Sequence, residues 1–320
     1  MQPMVFLHNI DEQEAQLWLQ NLKQALATDA IYLANQLDRE TAAKVEVAIV
    51  ANPDPTELVG FPNLVWVQSL WAGVESIVES FKHVNQQRAG NPIELVRLID
   101  PQLATTMAEA VLAWTLYLHR QMPEYAQQQR DKQWRQLQCP SADKVRVSVL
   151  GTGKLGQAAI QALLRQGYQV NSWSRSPKAI QGVQGFVGLG QLPEMLAQTD
   201  ILVCLLPLTN ETQGLLCKET FQALPKGSKV INFARGPVVN REDLLSVLDQ
   251  QQLAHAVLDV FETEPLPISD RLWEHPQVTV LPHISAMTNI ETATQVVAQN
   301  ITHYHQTGEL PVTVNLAQGY

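Results

Sequence analysis

The sequence predicts an α/β protein of two domains, each a parallel sheet covered by helices. Short apolar runs alternate with helical stretches in the first hundred residues, and a second such series opens near residue 146. Alternation of this kind places strands side by side in parallel, because each return helix packs across the sheet. A glycine-rich turn also joins the first strand of the second series to a helix.

In the first series the predicted strands are Val5-Phe6-Leu7, Ile31-Tyr32-Leu33, Val45 to Val50, Val65-Trp66-Val67 and Leu95-Val96-Arg97-Leu98. Glu12 to Ala27 carries Ala15, Leu17, Trp18, Leu22 and Leu26, a spacing that predicts an amphipathic helix. Asp100-Pro101 interrupts the chain, and Thr106 to Gln121 follows as a long, largely apolar helix suited to bridging two domains. Gln127 to Cys139 is polar and is expected at the periphery.

The second series begins at Arg146-Val147-Ser148-Val149-Leu150. Its later strands are expected at Tyr168 to Trp173, Ile201 to Leu205, Lys229 to Phe233, His255 to Val260 and Val278-Thr279-Val280. A final helix, Ile290 to Thr307, leads into an extended tail expected to fold back onto the first domain. The expected division is therefore residues 1–100 with 287–320 as one domain and 101–286 as the other.

The chain has 320 residues, which suits two domains better than one. It is 45% apolar and 17% charged, an ordinary globular composition. A net charge of -9 argues against a nucleic-acid surface, which needs a basic stripe. Cys139, Cys204 and Cys217 form no CxxC pair, so neither a disulfide framework nor a zinc site is expected. Met1 to Gln20 lacks a basic segment followed by an apolar run, and no stretch reaches the roughly 20 apolar residues of a membrane span. The expectation is a cytoplasmic protein with no membrane partner. His303 and His305 lie two positions apart near a helix end, a spacing that does not set them on one face, so no metal is expected there.

Gly151-Thr152-Gly153-Lys154-Leu155-Gly156 follows an apolar strand and opens an apolar helix. In such a turn the first glycine allows the bend, the second lets backbone approach a diphosphate, and the third lets helix and strand pack closely. The helix N-terminus then offers open N–H groups and partial positive charge to the phosphates. A dinucleotide is the ligand this context favours over a ligand-free βα turn. The next strand ends in Trp173-Ser174-Arg175-Ser176-Pro177-Lys178. It lacks the Asp or Glu that would hold a ribose diol, and it offers hydroxyls and cations suited to a 2′-phosphate. NADPH is thus preferred, with NADH possible.

Ligands of open parallel sheets sit beyond the carboxyl ends of the strands. Three strand ends of the second series are followed by Arg235, by Glu262 and Glu264, and by His283. Hydride arriving at a ketone carbon builds charge on oxygen, which needs a proton donor and an electrostatic partner. His283 suits the acid/base role, Glu264 can orient its imidazole, and Arg235 can hold a carboxylate beside the carbonyl. Glu262 competes for the orienting role, and His275 is a second loop histidine.

The segments LGTGKLG, INFARGPVVNREDLL, AVLDVFETEPLP and LPHISA resemble those of the D-isomer-specific 2-hydroxyacid dehydrogenases, through essentially the whole chain. SLWAGVES, WSRSPK, RLWEHPQVTVLPH and the terminal Gly319-Tyr320 resemble the glyoxylate/hydroxypyruvate reductase A branch. The resemblance implies two Rossmann- or flavodoxin-like doubly wound domains, substrate-binding and dinucleotide-binding, with the active site in the cleft between them. It implies a homodimer formed largely by the cofactor domain. It makes Arg235, Glu264 and His283 the catalytic trio and sets Asp259 against the nicotinamide carboxamide. It gives the backbone of Trp71-Ala72-Gly73-Val74 the substrate carboxylate, in a small nest of N–H groups. Leu206 and Pro207 would flank the adenosine, with Phe233 and Ala234 near the nicotinamide ribose. Trp71 stands where many members carry Gly, and its ring would narrow the pocket.

The reaction so implied is NADPH-dependent reduction of a small 2-keto acid, glyoxylate to glycolate or hydroxypyruvate to D-glycerate. Two alternatives stay open on the sequence: a member acting on bulkier 2-keto acids such as phenylpyruvate, and a dinucleotide-sensing binding protein. Trp134 suits either a dimer interface or a plain exposed position, and Tyr320 either an approach to the site or a frayed end.

Overall fold

The computed structural model describes residues 2–88 and 91–316. The chain divides into two compact units, Met1–Gln102 with Thr288–Tyr320, and Leu103–Met287.

The first unit runs β1 (Met4–His8), α1 (Glu12–Ala25), β2 (Ile31–Leu33), the short α2 (Arg39–Ala42), β3 (Val47–Ala51), β4 (Trp66–Ser69), α3 (Glu75–Gln87) and β5 (Glu94–Val96). Its five strands are parallel, in the order β2-β1-β3-β4-β5. Asp11 starts α1 by accepting from the amides of Gln13 and Glu14, a side-chain cap that fixes the helix entry. Alternate strand residues enter different cores. Met4 and Phe6 pack with Trp18 and Leu22 of α1, while Val5 and Leu7 pack with Val78 and Phe81 of α3. The sheet is thus covered on both faces, which is why its strands read as unbroken apolar runs.

α4 (Pro101–His119) leads into the second unit, followed by α5 (Met122–Arg130), β6 (Arg146–Leu150), α6 (Lys154–Arg165), β7 (Gln169–Ser174), β8 (Gln184–Val187), α7 (Gly188–Leu196), β9 (Ile201–Cys204), α8 (Lys218–Ala223), β10 (Ser228–Asn232), α9 (Arg241–Asp249), β11 (Leu253–Leu258) and β12 (Val278–Val280). Its seven strands are also parallel, in the order β12-β11-β10-β9-β6-β7-β8. Val147, Val149 and Val203 face one core, and Leu150, Leu202 and Cys204 the other. Both sheets are therefore doubly wound, as expected. The strand order reverses between β6 and β9, the crevice in which such folds take ligands.

α10 (Ile290–Thr307) returns to the first unit, where Ala293, Val297 and Ile301 join the core of β1 and α1. Beyond it, the Val314 amide donates to the Leu95 carbonyl at 2.7 Å and the Val314 side chain is buried.

Some elements differ from expectation. The helix expected from Thr106 begins at Pro101 and ends at His119. Proline is favoured in a first turn, where its missing N–H costs nothing, and Asp100 Oδ1 accepts from the Gln102 amide there. The polar stretch after it splits into α5 and an extended arm. β8 has no apolar run to mark it, because an edge strand leaves Gln184 and Gly185 exposed. Tyr320 lies outside the described residues.

Candidate active site

The glycine turn sits where β6 meets α6. Gly151 has a φ of +102°, and a Cβ there would stand 2.7 Å from the Leu205 carbonyl oxygen. A Cβ on Gly156 would stand 1.9 Å from the Gly151 oxygen, so only glycine lets the helix approach its own strand this closely. Gly153 differs: nothing lies within 4 Å of a Cβ there. It is the N-cap of α6 and supplies no side-chain acceptor, so it leaves the first-turn N–H groups of the helix without a side-chain cap. That is the arrangement a dinucleotide diphosphate requires.

Beyond β7, Ser174 Oγ donates to the Ser176 carbonyl at 2.7 Å. An Arg175 guanidinium nitrogen lies 3.9 Å from a carboxylate oxygen of Glu211, and no acidic residue follows the strand directly. The Lys178 ammonium donates to the Thr152 carbonyl at 2.9 Å. The residues beyond β7 thus fit a 2′-phosphorylated dinucleotide.

After β9, Leu206 is buried and Pro207 begins a loop organised by Thr212, a residue not singled out in the sequence. The Thr212 hydroxyl donates to the Pro207 carbonyl at 2.7 Å and accepts from the Thr209 amide at 2.8 Å.

The three strand-end side chains follow β10, β11 and β12, which are neighbours in the sheet. Phe233 and Ala234 are buried after β10. Buried Asn232 ties that loop down, its Oδ1 accepting from the Ala234 amide and its Nδ2 donating to the Arg235 carbonyl. The half-buried Arg235 donates from Nη1 to the Ala234 carbonyl at 2.7 Å. Gly236 then passes against the next loop: a Cβ on it would stand 2.0 Å from the Phe261 carbonyl carbon.

Glu264 links that loop to the histidine. Its Oε1 accepts from the Phe261 amide at 2.8 Å, and its Oε2 lies 2.8 Å from His283 Nδ1. Glu262 is exposed and makes no such bond, so Glu264 is the carboxylate paired with the histidine. His275 precedes β12 instead of following it and pairs with Asp249 at 3.3 Å. His283 has a φ of +55°, in the left-handed region. The conformation is held from behind, where buried Asp259 accepts from the amides of Ile284 and Ser285 at 2.7 and 2.9 Å. Both Asp259 oxygens are thus engaged by this chain's own backbone, a link between β11 and the histidine loop that sequence spacing does not reveal.

In the first unit, Trp71-Ala72-Gly73-Val74 lie between β4 and α3, with Val74 at the N-cap of α3. The Trp71 amide donates to Ser69 Oγ at 3.0 Å, and its carbonyl accepts from the Leu98 amide at 2.9 Å. Its ring meets Trp18 edge-on at 5.7 Å and packs against the first unit's core. Among the described residues no group of three or more His, Cys, Asp or Glu side chains is placed to hold a metal ion. No helix among them is long and apolar enough to cross a membrane.

Residues 112–285 match the family model for D-isomer specific 2-hydroxyacid dehydrogenase, NAD binding domain. The glyoxylate/hydroxypyruvate reductase A of Yersinia enterocolitica is 38% identical over 309 residues, covering 96% of this chain and 97% of that protein. A D-isomer specific 2-hydroxyacid dehydrogenase from Xanthobacter autotrophicus, solved with NADPH and MES, aligns with a TM-score of 0.89 at 36% identity, over 99% of both chains. An NADPH-dependent glyoxylate/hydroxypyruvate reductase from Sinorhizobium meliloti, solved with NADP and sulfate, aligns with a TM-score of 0.87 at 30% identity, over 100% of both. With its two parallel sheets, its glycine turn and its Arg, Glu and His on adjacent strand ends, the chain belongs to the D-isomer specific 2-hydroxyacid dehydrogenase family.

Proposed function

We propose that the protein is an NADPH-preferring reductase of small 2-keto acids, converting glyoxylate to glycolate and hydroxypyruvate to D-glycerate. The observation that carries the reading is the Glu264–His283 hydrogen bond on strand ends adjacent to that of Arg235, on the sheet that holds the glycine turn. The similarity to the named reductases of Yersinia and Sinorhizobium supports the choice of substrates and cofactor.

The second unit binds the dinucleotide and the first binds substrate. Bound NADPH supplies the hydride that reduces the carbonyl carbon. Glu264 accepts from Nδ1 of His283, which orients the ring and leaves Nε2 for the substrate. His283 Nε2 gives its proton to the carbonyl oxygen as that oxygen gains charge, so keto acid, hydride and one proton give the hydroxy acid. Arg235, its guanidinium anchored on the Ala234 carbonyl, pairs with the developing oxyanion and the adjacent carboxylate. Backbone N–H groups of residues 72–74 take that carboxylate, the Trp71 N–H being held by Ser69 Oγ. Ser174 and Arg175 take the 2′-phosphate, Leu206 and Pro207 flank the adenosine, and Phe233 and Ala234 line the ribose side.

Initial rates with NADPH and NADH on glyoxylate, hydroxypyruvate and phenylpyruvate test the reading. The expected order is NADPH above NADH and both small acids above phenylpyruvate. Turnover of none of these acids overturns the reading.

The reading includes a cytoplasmic homodimer. Leu112, Trp114, Leu116 and Tyr117 of α4 are only half-buried in the single chain, and Trp134 on the arm after α5 is 99% exposed. Apolar surface of this kind is suited to a second copy. The free Cys139, Cys204 and Cys217 fit a reducing compartment. Sedimentation equilibrium on the wild type and Trp134→Ser tests the dimer, and a wild type that stays monomeric at micromolar concentration refutes it.

A further inference from the structure

The carbonyl of Thr152, inside the glycine turn, accepts two side-chain donors. Lys178 Nζ, reaching over from the segment after β7, lies 2.9 Å from it, and Gln157 Nε2, on the first turns of α6, also lies 2.9 Å from it. Thr152 itself is buried. The peptide that follows is the one joining Thr152 to Gly153. A trans peptide sets its N–H opposite its C=O. Fixing the Thr152 oxygen against Lys178 and Gln157 therefore fixes the Gly153 N–H on the opposite side of that peptide, at the N-cap of α6. Such a lock has a purpose at this position. A peptide followed by glycine turns over cheaply, because glycine accepts both signs of φ, and a turned peptide would present an oxygen instead of an N–H to an incoming anion.

We propose that Lys178 and Gln157 are positioning residues that hold the Thr152–Gly153 peptide with its N–H toward the dinucleotide's diphosphate. The role rests on the reading of this turn as the dinucleotide site. It separates the role of Lys178 from that of Arg175 and Ser174, to which the proposed function gives the 2′-phosphate. Lys178 acts on the part shared by NADPH and NADH, and so sets affinity for both without choosing between them.

The test is calorimetric titration of the full-length protein with two fragments. ADP-ribose carries the diphosphate and no 2′-phosphate, and adenosine 2′-phosphate carries the reverse. Lys178→Met and Gln157→Leu are each expected to weaken ADP-ribose about tenfold, the effect of losing a hydrogen bond that orders a charged contact. Adenosine 2′-phosphate binding is expected to stay unchanged, and Lys178→Arg, which keeps a donor and the charge, to restore most of the ADP-ribose affinity. Loss of adenosine 2′-phosphate with ADP-ribose spared overturns the proposal, making Lys178 a 2′-phosphate ligand. Equal loss of both fragments, or no loss of either, overturns it too. Arg175→Ala serves as the separate check on the NADPH reading: if it leaves adenosine 2′-phosphate binding intact, that reading fails while the peptide lock stands on its ADP-ribose result.

Discussion

One oxygen of the Glu264 carboxylate lies 2.8 Å from Nδ1 of His283, while the other accepts from the Phe261 amide at the same distance. The carboxylate is therefore fixed to its own loop before it meets the imidazole, and the ring is oriented by a part that cannot swing away. Glu264→Gln keeps the size and the Phe261 contact but removes the charge that pairs with a protonated ring. We expect kcat for glyoxylate reduction to fall about tenfold or more, and His283→Ala to cost about a hundredfold or more. Dissociation constants for NADPH should stay within error of wild type in both. Full turnover by His283→Ala would remove His283 from the acid/base role.

Gly236 is the point at which the Arg235 loop touches the Glu264 loop. A Cβ there would stand 2.0 Å from the Phe261 carbonyl carbon and 2.3 Å from the Glu262 nitrogen, both of them backbone. Backbone cannot rotate aside as a side chain can, so Gly236→Ala must push the two loops apart. The expected cost is about 1–3 kcal/mol in unfolding free energy, the usual range for overpacking. A fall in kcat should accompany it, since Arg235 and Glu264 are displaced relative to each other. A variant with wild-type melting and wild-type kcat would show that the loops have slack.

Asp259 lies one strand away from the residues it supports. Its two oxygens take the amides of Ile284 and Ser285, directly after His283 with its φ of +55°. In Asp259→Asn one of those amides faces an NH2 group, a donor against a donor, in a buried place. The expected loss is about 1–3 kcal/mol of stability, the cost of an unsatisfied buried polar group. kcat should drop as well, because the histidine loses the support behind it. Urea titration together with kcat measures both, and a variant unchanged in either respect would show that the loop holds itself.

Much of this was legible in the sequence, for identifiable reasons. Strands buried on both faces, such as Val47–Ala51 and Ile201–Cys204, read as unbroken apolar runs, and the turn at Gly151 marks the first crossover of the second sheet. The placement of Arg235, Glu264 and His283 after neighbouring strands could be read because strand ends can be counted along the chain. What escaped was the layer behind them. Asn232, Gly236 and the engagement of Asp259 by Ile284 and Ser285 depend on which loop lies against which, and spacing along the chain carries no such information. The β8 edge strand and the early start of α4 were missed for a local reason. An exposed edge needs no apolar pattern, and Pro101 marks a helix start as readily as a break.

His255, within β11, gives a pH dependence of stability with a definite sign. Its Nε2 lies 2.9 Å from the Thr279 hydroxyl. Burial, with smaller contributions from Lys229 and His275, lowers its pKa from 6.5 to about 4. Above pH 6.5 the imidazole is neutral in the folded and unfolded chains alike, and it contributes nothing to the pH dependence. As pH falls from 6.5 toward 4 the unfolded chain binds a proton that the folded chain refuses, so stability declines across that window, by roughly 3 kcal/mol in all. Below about pH 4 both states are protonated and the loss levels off. His255→Gln keeps a polar group opposite Thr279 and removes the titration. Urea unfolding at pH 7 and pH 5 should therefore show a smaller drop in the variant than in the wild type. Equal drops in the two proteins would mean that other groups, carboxylates among them, account for the acid sensitivity.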